Sequence, residues 1–103
     1  MRLVLAFVLG VFVAISTAHA SPQAPVVVLD PGHGGSNAGT QGAGMHEKQL
    51  TLILADRVAA KLRAKGITVE LTRTSDRTLT LRQRTARADE LPADLFVSIH
   101  ANA

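Results

Sequence analysis

Two histidines and one glutamate are spaced in a way that suits metal binding. His33 lies in a glycine-rich stretch directly after an apolar run, and His100 directly follows another apolar run near the end of the chain. Glu47 stands just before a pattern typical of an amphipathic helix. Two imidazoles and a carboxylate form a His2Glu donor set, which suits zinc and leaves a fourth position for water. The three residues therefore predict a zinc site if the fold brings them together.

Each of these residues also has an ordinary interpretation. A histidine in a glycine-rich loop is often a turn residue, and His100 at a strand end could be a hydrogen-bonded histidine of a crevice. Glu47 could be a first-turn residue that the helix dipole favours. His46 is a competing ligand candidate because it is adjacent to Glu47. Spacing alone leaves both interpretations open.

The strands predicted from apolar patterns place the two histidines at one edge of a sheet. Unbroken apolar runs at 26–29 and 95–99 indicate buried strands, and alternation over 67–71 indicates a half-exposed strand. Ligands of parallel α/β sheets bind outside the carboxyl ends of the strands. His33 and His100 follow two of these ends, so we expect both side chains in the same crevice.

Two helices are predicted between the strands. The first runs from Gln49 to Lys65, before a glycine stop at Gly66, and its apolar residues share one face: Leu50, Ile53, Leu54, Val58 and Leu62. The second opens with a capping box over 80–83 and ends near Leu91. The order β-loop-α-β-α-β predicts an α/β domain with a largely parallel sheet flanked by helices.

The glycine-rich stretch and the positive charge do not indicate nucleotide or nucleic-acid binding. Residues 30–44 predict a loop with unusual backbone geometry. Thr40 stands where a phosphate-binding loop needs lysine, and Asn37 stands where a dinucleotide fingerprint needs glycine. The net charge is +3, but the basic residues are scattered and no aromatic residues interleave with them. We therefore expect no nucleic-acid partner.

The first 20 residues have the pattern of a secretory signal peptide. Arg2 precedes an apolar run over 3–15, and Ala18-His19-Ala20 forms a small-residue exit. The run is shorter than the ~20 residues that cross a membrane, so no stable anchor is expected. Residues 21–25 are predicted to be a linker, and the absence of cysteine excludes disulfides and a lipoprotein attachment site. We expect export to the periplasm or cell-wall space.

Several motifs together resemble the N-acetylmuramoyl-L-alanine amidases, a family of zinc-dependent cell-wall hydrolases. The resemblance covers nearly all of residues 25–103, and it rests on these segments: Val27-Val28-Leu29-Asp30-Pro31-Gly32-His33-Gly34-Gly35, Glu47-Lys48, Leu71-Thr72-Arg73 with Asp76, Leu81 with Arg84, and Ala93-Asp94-Leu95-Phe96-Val97-Ser98-Ile99-His100-Ala101-Asn102. It implies that His33, Glu47 and His100 are zinc ligands. It also implies hydrolysis of the peptidoglycan amide between the lactyl group of N-acetylmuramic acid and L-alanine. We further hypothesise that Asp30 orients the ring of His33, because metal-bound imidazoles usually donate their other N–H to a carboxylate or carbonyl. The alternative, that Asp30 caps the glycine-rich loop, stays equally open.

The chain also departs from the family pattern. The family uses a further glutamate as general base, and no residue up to Ala103 matches it, so residues 26–103 are expected to be a partial catalytic domain. Asn37-Ala38-Gly39 stands where Asp-Pro-Gly is more usual, and Asp89 where asparagine is common. We therefore expect the N-terminal half of an amidase that is active only in a longer chain. The alternatives are a module that binds zinc or peptidoglycan without cleavage, or a non-functional remnant. The sequence leaves open whether an activator protein exists.

Overall fold

A parallel three-stranded sheet forms the centre of the fold. In a computed structural model, which describes residues 23–102, the elements are β1 (Val26–Pro31), β2 (Gln41–Gly42), β3 (Met45–His46), α1 (Glu47–Ala64), β4 (Thr68–Leu71), α2 (Leu81–Glu90) and β5 (Leu95–Ile99). The strand order is β4-β1-β5, with Val27 opposite Val69 on one side and Leu95 on the other. The predicted α/β fold with a parallel sheet is confirmed. The predicted signal segment, residues 1–20, lies outside the described residues.

The two helices pack on opposite faces of β1. Val27 and Leu29 form the core with Ala59 of α1 and with Val69 of β4. Asp30, which has the opposite parity along the strand, pairs with Arg84 of α2 instead. Because successive side chains of a strand point to opposite faces, this places α1 and α2 on different sides of the sheet.

The buried face of α1 differs from the predicted one. Its buried residues are Glu47, Thr51, Ala55 and Ala59, which recur every four positions. The large apolar residues on the predicted face are 36–40% exposed, namely Leu50, Ile53, Leu54 and Val58. Small side chains allow the helix axis to approach the sheet closely. Helical periodicity therefore predicted the helix but not which of its residues contact the sheet. Of that face, Leu62 packs against the core.

The ends of the helices follow local capping chemistry. α1 begins at Glu47, two residues before the expected Gln49. At α2 the predicted capping box is confirmed: the Gln83 N–H donates to Thr80 Oγ1 at 3.1 Å, and the Thr80 N–H donates to Gln83 Oε1 at 2.9 Å. In the described residues, no helix is both long enough and apolar enough to span a membrane.

A short hairpin interrupts the predicted glycine-rich loop. β2 and β3 pair antiparallel, and the two residues between them, Ala43 and Gly44, have φ values of 51° and 74°. Positive φ at both central residues is the geometry of the tight turns that suit hairpins. The hairpin ends at His46, so the chain enters α1 directly from it and Glu47 becomes the first helical residue.

Candidate metal centre

Three elements bring His33, Glu47 and His100 together at the carboxyl edge of the sheet. His33 follows β1, His100 follows β5, and Glu47 is the first residue of α1. Glu47 Oε2 lies 3.0 Å from His33 Nε2 and 3.4 Å from His100 Nδ1, and the two nitrogens are 3.3 Å apart. One ligand atom from each residue falls within 4.8 Å of the others. This arrangement can present two imidazole nitrogens and one carboxylate oxygen to a single cation.

The Glu47 carboxylate is fixed and ionised by its hydrogen bonds. The Ala101 N–H donates to Oε2 at 2.9 Å, while the N–H and hydroxyl of Thr40 donate to Oε1 at 3.2 and 3.0 Å. The bond from Ala101, with those from Thr40, outweighs the opposing effect of desolvation and lowers the pKa of Glu47 from 4.5 to about 2. The carboxylate is therefore an anion at neutral pH, as a cation ligand must be.

The ring of His33 has a different partner from the one expected. Its Nδ1 lies 2.9 Å from Oδ1 of Asn37. The carboxylate of Asp30 instead accepts hydrogen bonds from Arg84, Thr72 and Ser98 at 2.7, 2.7 and 2.8 Å. Burial opposes ionisation of Asp30, but these bonds, that from Arg84 first, lower its pKa. Arg84 also donates to the carbonyl of His33 at 2.8 Å and so connects Asp30 to the backbone of that residue.

Two buried arginines hold the backbone that carries His33. The Arg73 Nε donates to the carbonyl oxygens of Pro31 and His33 at 3.1 and 3.0 Å, and its Nη2 donates to that of Gly32 at 3.0 Å. Arg84 donates to the carbonyl oxygens of Pro31 and His33 at 2.9 and 2.8 Å. This role was not predicted from the sequence, although both arginines belong to the segments that carry the family resemblance. The available signal was Arg73, an arginine two residues after a predicted strand.

Glycines allow the ligand side chains to approach the loop. A Cβ at Gly32 would lie 2.5 Å from Cε1 of His100, and a Cβ at Gly39 would lie 2.7 Å from Cδ2 of His33 and 2.8 Å from Cβ of Glu47. These distances are far below ordinary van der Waals contact. The loop therefore needs glycine at both positions to accommodate the three candidate ligands.

The competing candidate, His46, lies outside the cluster. Among residues 23–102, the group of side chains that could hold a metal ion consists of His33, Glu47 and His100. His46 precedes α1 and lines a neighbouring cavity of about 390 Å³ together with Met45, Leu50 and Ala101. A second cavity, of about 310 Å³, opens on both clustered histidines, and its walls include Asn37, Leu79, Leu81 and Arg84. The cluster is thus accessible from this second cavity.

Comparison with known proteins identifies the family. The profile of the N-acetylmuramoyl-L-alanine amidase family matches residues 27–103. The chain belongs to this family. It is 48% identical over 79 residues to the amidase CwlM of Bacillus licheniformis, and 44% identical over 94 residues to the amidase AmiA of Escherichia coli K12. These alignments cover 75% and 84% of this chain but 31% and 32% of the two relatives.

The fold is shared with solved catalytic domains of the family. The catalytic domain of the amidase CwlV from Bacillus (Paenibacillus) polymyxa superposes with a TM-score of 0.71 at 42% identity. The match covers 76% of this chain and 45% of the CwlV chain. The chain thus spans less than half the length of each of these three relatives.

Proposed function

We propose that the protein is a zinc-dependent hydrolase of peptidoglycan. It would cleave the amide bond between N-acetylmuramic acid and L-alanine, with His33, Glu47 and His100 as zinc ligands. The observation that carries the proposal is the convergence of these three donors within 4.8 Å at the carboxyl edge of a parallel sheet. Membership of the amidase family supports the substrate class and the reaction.

The donor chemistry fits zinc. A His2Glu set is a known arrangement of catalytic zinc sites, which keep one position open for water or substrate. Bound zinc would lower the pKa of a coordinated water to about 7 and polarise the scissile carbonyl. Glu47 would supply the single negative charge, held in place by Ala101 and Thr40. The imidazoles would supply neutral nitrogen donors.

The three clustered residues do not include a free general base. Hydrolysis needs a group that takes a proton from water and passes it to the leaving amine. Glu47 has both oxygens engaged by hydrogen-bond donors and faces the two imidazoles, so we assign it as a ligand. Asp30 is nearby but forms a buried ion pair with Arg84 at 2.7 Å. The base would therefore be a residue outside this cluster.

The proposed ligands can be tested with a matched control. We expect His33→Ala and His100→Ala to lose bound zinc, measured by mass spectrometry of the metal after desalting. His46→Ala is the control, because His46 is adjacent to Glu47 in sequence but outside the cluster, and it should retain zinc. Full retention of zinc by either cluster variant would contradict the ligand assignment, and its loss in the control would support the competing assignment of His46.

The catalytic step has its own test. Because no residue up to Ala103 matches the general-base glutamate, we expect hydrolysis only from a longer, zinc-loaded chain that supplies this residue. That chain should release stem peptides with a new N-terminal L-alanine from purified peptidoglycan, detected by amino-group labelling. The opposite outcome is that the longer, zinc-loaded chain binds peptidoglycan in a pull-down without releasing peptides. That outcome would favour the non-catalytic binding module. If the expressed protein is unfolded and protease-sensitive, the result would favour a non-functional remnant.

Export is a separate part of the proposal. The pattern of residues 1–20 supports cleavage after Ala20 and a site of action in the periplasm or cell wall. N-terminal sequencing of the protein recovered from the expressing cells should begin at Ser21. Recovery with Met1 in the cytoplasmic fraction would contradict export.

A further inference from the structure

We propose that Asn37 is a positioning residue that fixes the ring of His33 for metal binding. The two ring nitrogens of His33 face different groups. Nε2 lies 3.0 Å from Glu47 Oε2 and 3.3 Å from His100 Nδ1, whereas Nδ1 lies 2.9 Å from Asn37 Oδ1. The inference rests on the proposed zinc site, because it assigns Nε2 to the metal and Nδ1 to Asn37.

The loop is constructed to hold Asn37 beside the ring. The Gly34 N–H donates to the Asn37 carbonyl at 2.7 Å, and the Asn37 N–H donates to the Gly34 carbonyl at 3.0 Å. Gly34 and Gly35, inside this turn, have φ values of 130° and 56°, which favour glycine. The backbone of Asn37 is thus tied to the residue next to His33, and its side-chain oxygen lies within hydrogen-bond distance of Nδ1.

The hydrogen bond with Asn37 determines which ring nitrogen of His33 carries the proton. An imidazole that binds a metal through Nε2 carries its proton on Nδ1, and this N–H needs an acceptor. The Oδ1 of Asn37 is an acceptor, so it selects the tautomer whose Nε2 lone pair faces Glu47 and His100. It also fixes the rotation of the ring. Groups that support a metal ligand in this way typically contribute 10–100-fold to metal affinity.

An amide and a carboxylate at position 37 should differ in how strongly they support zinc binding by His33. A carboxylate acceptor raises the basicity of a metal-bound imidazole, whereas an amide orients the ring without adding charge. Asn37→Asp should therefore retain or increase zinc affinity. Asn37→Leu, which has nearly the same size and no acceptor, should weaken zinc binding about 10–100-fold.

The experiment measures zinc dissociation constants of the full chain by competition with a chromophoric chelator at pH 8. Gln41→Leu is the control, because it makes the same amide-to-leucine change on the exposed strand β2, and it should match the unaltered chain. A second readout is the Nδ1 proton of His33 in the zinc-loaded, nitrogen-15-labelled protein. Its exchange with solvent should be faster in Asn37→Leu than in the unaltered chain.

The outcomes separate this inference from the proposed function. No zinc binding by the unaltered chain would contradict the function and the inference together. Zinc binding that is equal in the unaltered chain and Asn37→Leu, with unchanged proton exchange, would contradict the inference alone. If Asn37→Leu does not fold by circular dichroism, Asn37→Asp decides: retained or tighter binding supports the acceptor role, and a loss of tenfold or more overturns it.

Discussion

Replacement of Gly32 by alanine should separate metal binding from folding. The added Cβ would lie 2.5 Å from Cε1 and 2.7 Å from both ring nitrogens of His100. Ordinary carbon contacts begin at about 3.5 Å, so the ring must move by about 1 Å. Metal–ligand distances tolerate only about ±0.2 Å, so this movement removes His100 from the site. The side chain of His100 is 37% exposed, which gives the ring space to move without disturbing the core.

The expected result is a large loss of zinc affinity with little change in stability. We expect Gly32→Ala to weaken zinc binding by at least 100-fold, the upper range for the loss of a group that only supports a ligand. The free energy of unfolding of the metal-free protein should change by less than about 1 kcal/mol. Alanine restricts the unfolded chain more than glycine does, and this stabilising effect offsets part of the cost of the new contact.

Gly42→Ala is the matched control. The Cβ at Gly42 would meet nothing within 4 Å, and neither Gly32 nor Gly42 has a positive φ. The control should bind zinc as the unaltered chain does. The affinities come from chelator competition and the stabilities from urea unfolding monitored by circular dichroism. Equal zinc affinity of the two variants would refute the assignment of His100 to the site.

Three further predictions concern the charges around the site. The pKa of Glu47 is about 2 in the folded protein against 4.5 ordinarily, so its contribution to stability is complete above pH 4.5 and is lost as the pH falls toward 2. Urea unfolding at several pH values should show a smaller decline for Glu47→Gln, and an unchanged decline would contradict the lowered pKa. Arg84→Met should cost about 3–5 kcal/mol, because it leaves the buried carboxylate of Asp30 unpaired. The double variant with Asp30→Leu should be more stable than Arg84→Met alone, and additive losses would contradict the coupling. Arg73→Lys should cost about 1–3 kcal/mol, because an ammonium cannot reach all the carbonyls that the guanidinium binds; an unchanged melting temperature would contradict this.

The parts of the fold that depend on local patterns could be predicted from the sequence. Continuous apolar runs predicted β1 and β5, and the Thr80–Gln83 capping box predicted the start of α2. Since β1 and β5 are adjacent and parallel, the residues that follow them lie at one edge. This is why His33 and His100 could be placed in a common crevice before their distance was known.

Other features depend on packing between distant segments, which periodicity does not report. The face of α1 that contacts the sheet consists of Thr51, Ala55 and Ala59, since a close approach of helix and sheet favours small side chains over large ones. A hydrophobicity pattern gives the greatest weight to leucine and isoleucine, so it selected Leu50 and Ile53. The same limitation applies to Asp30. Its partners lie directly after β4, in α2 and in β5, and not in the adjacent glycine-rich loop.

The conformation of His33 shows why the exact geometry of the site required the structure. Its φ of 62° is uncommon for a residue with a side chain. Such a backbone conformation costs about 1–3 kcal/mol, and it persists only where the surrounding contacts hold it in place. Here the carbonyl of His33 accepts from Arg73 at 3.0 Å and from Arg84 at 2.8 Å. Hydrogen bonds from charged donors contribute about 1.5–3 kcal/mol each, so the two can offset the strain. The direction of the Nε2 lone pair is therefore determined by the segment after β4 and by α2, as well as by the glycine-rich loop. A change at either arginine should displace His33 although neither side chain belongs to the candidate ligand set.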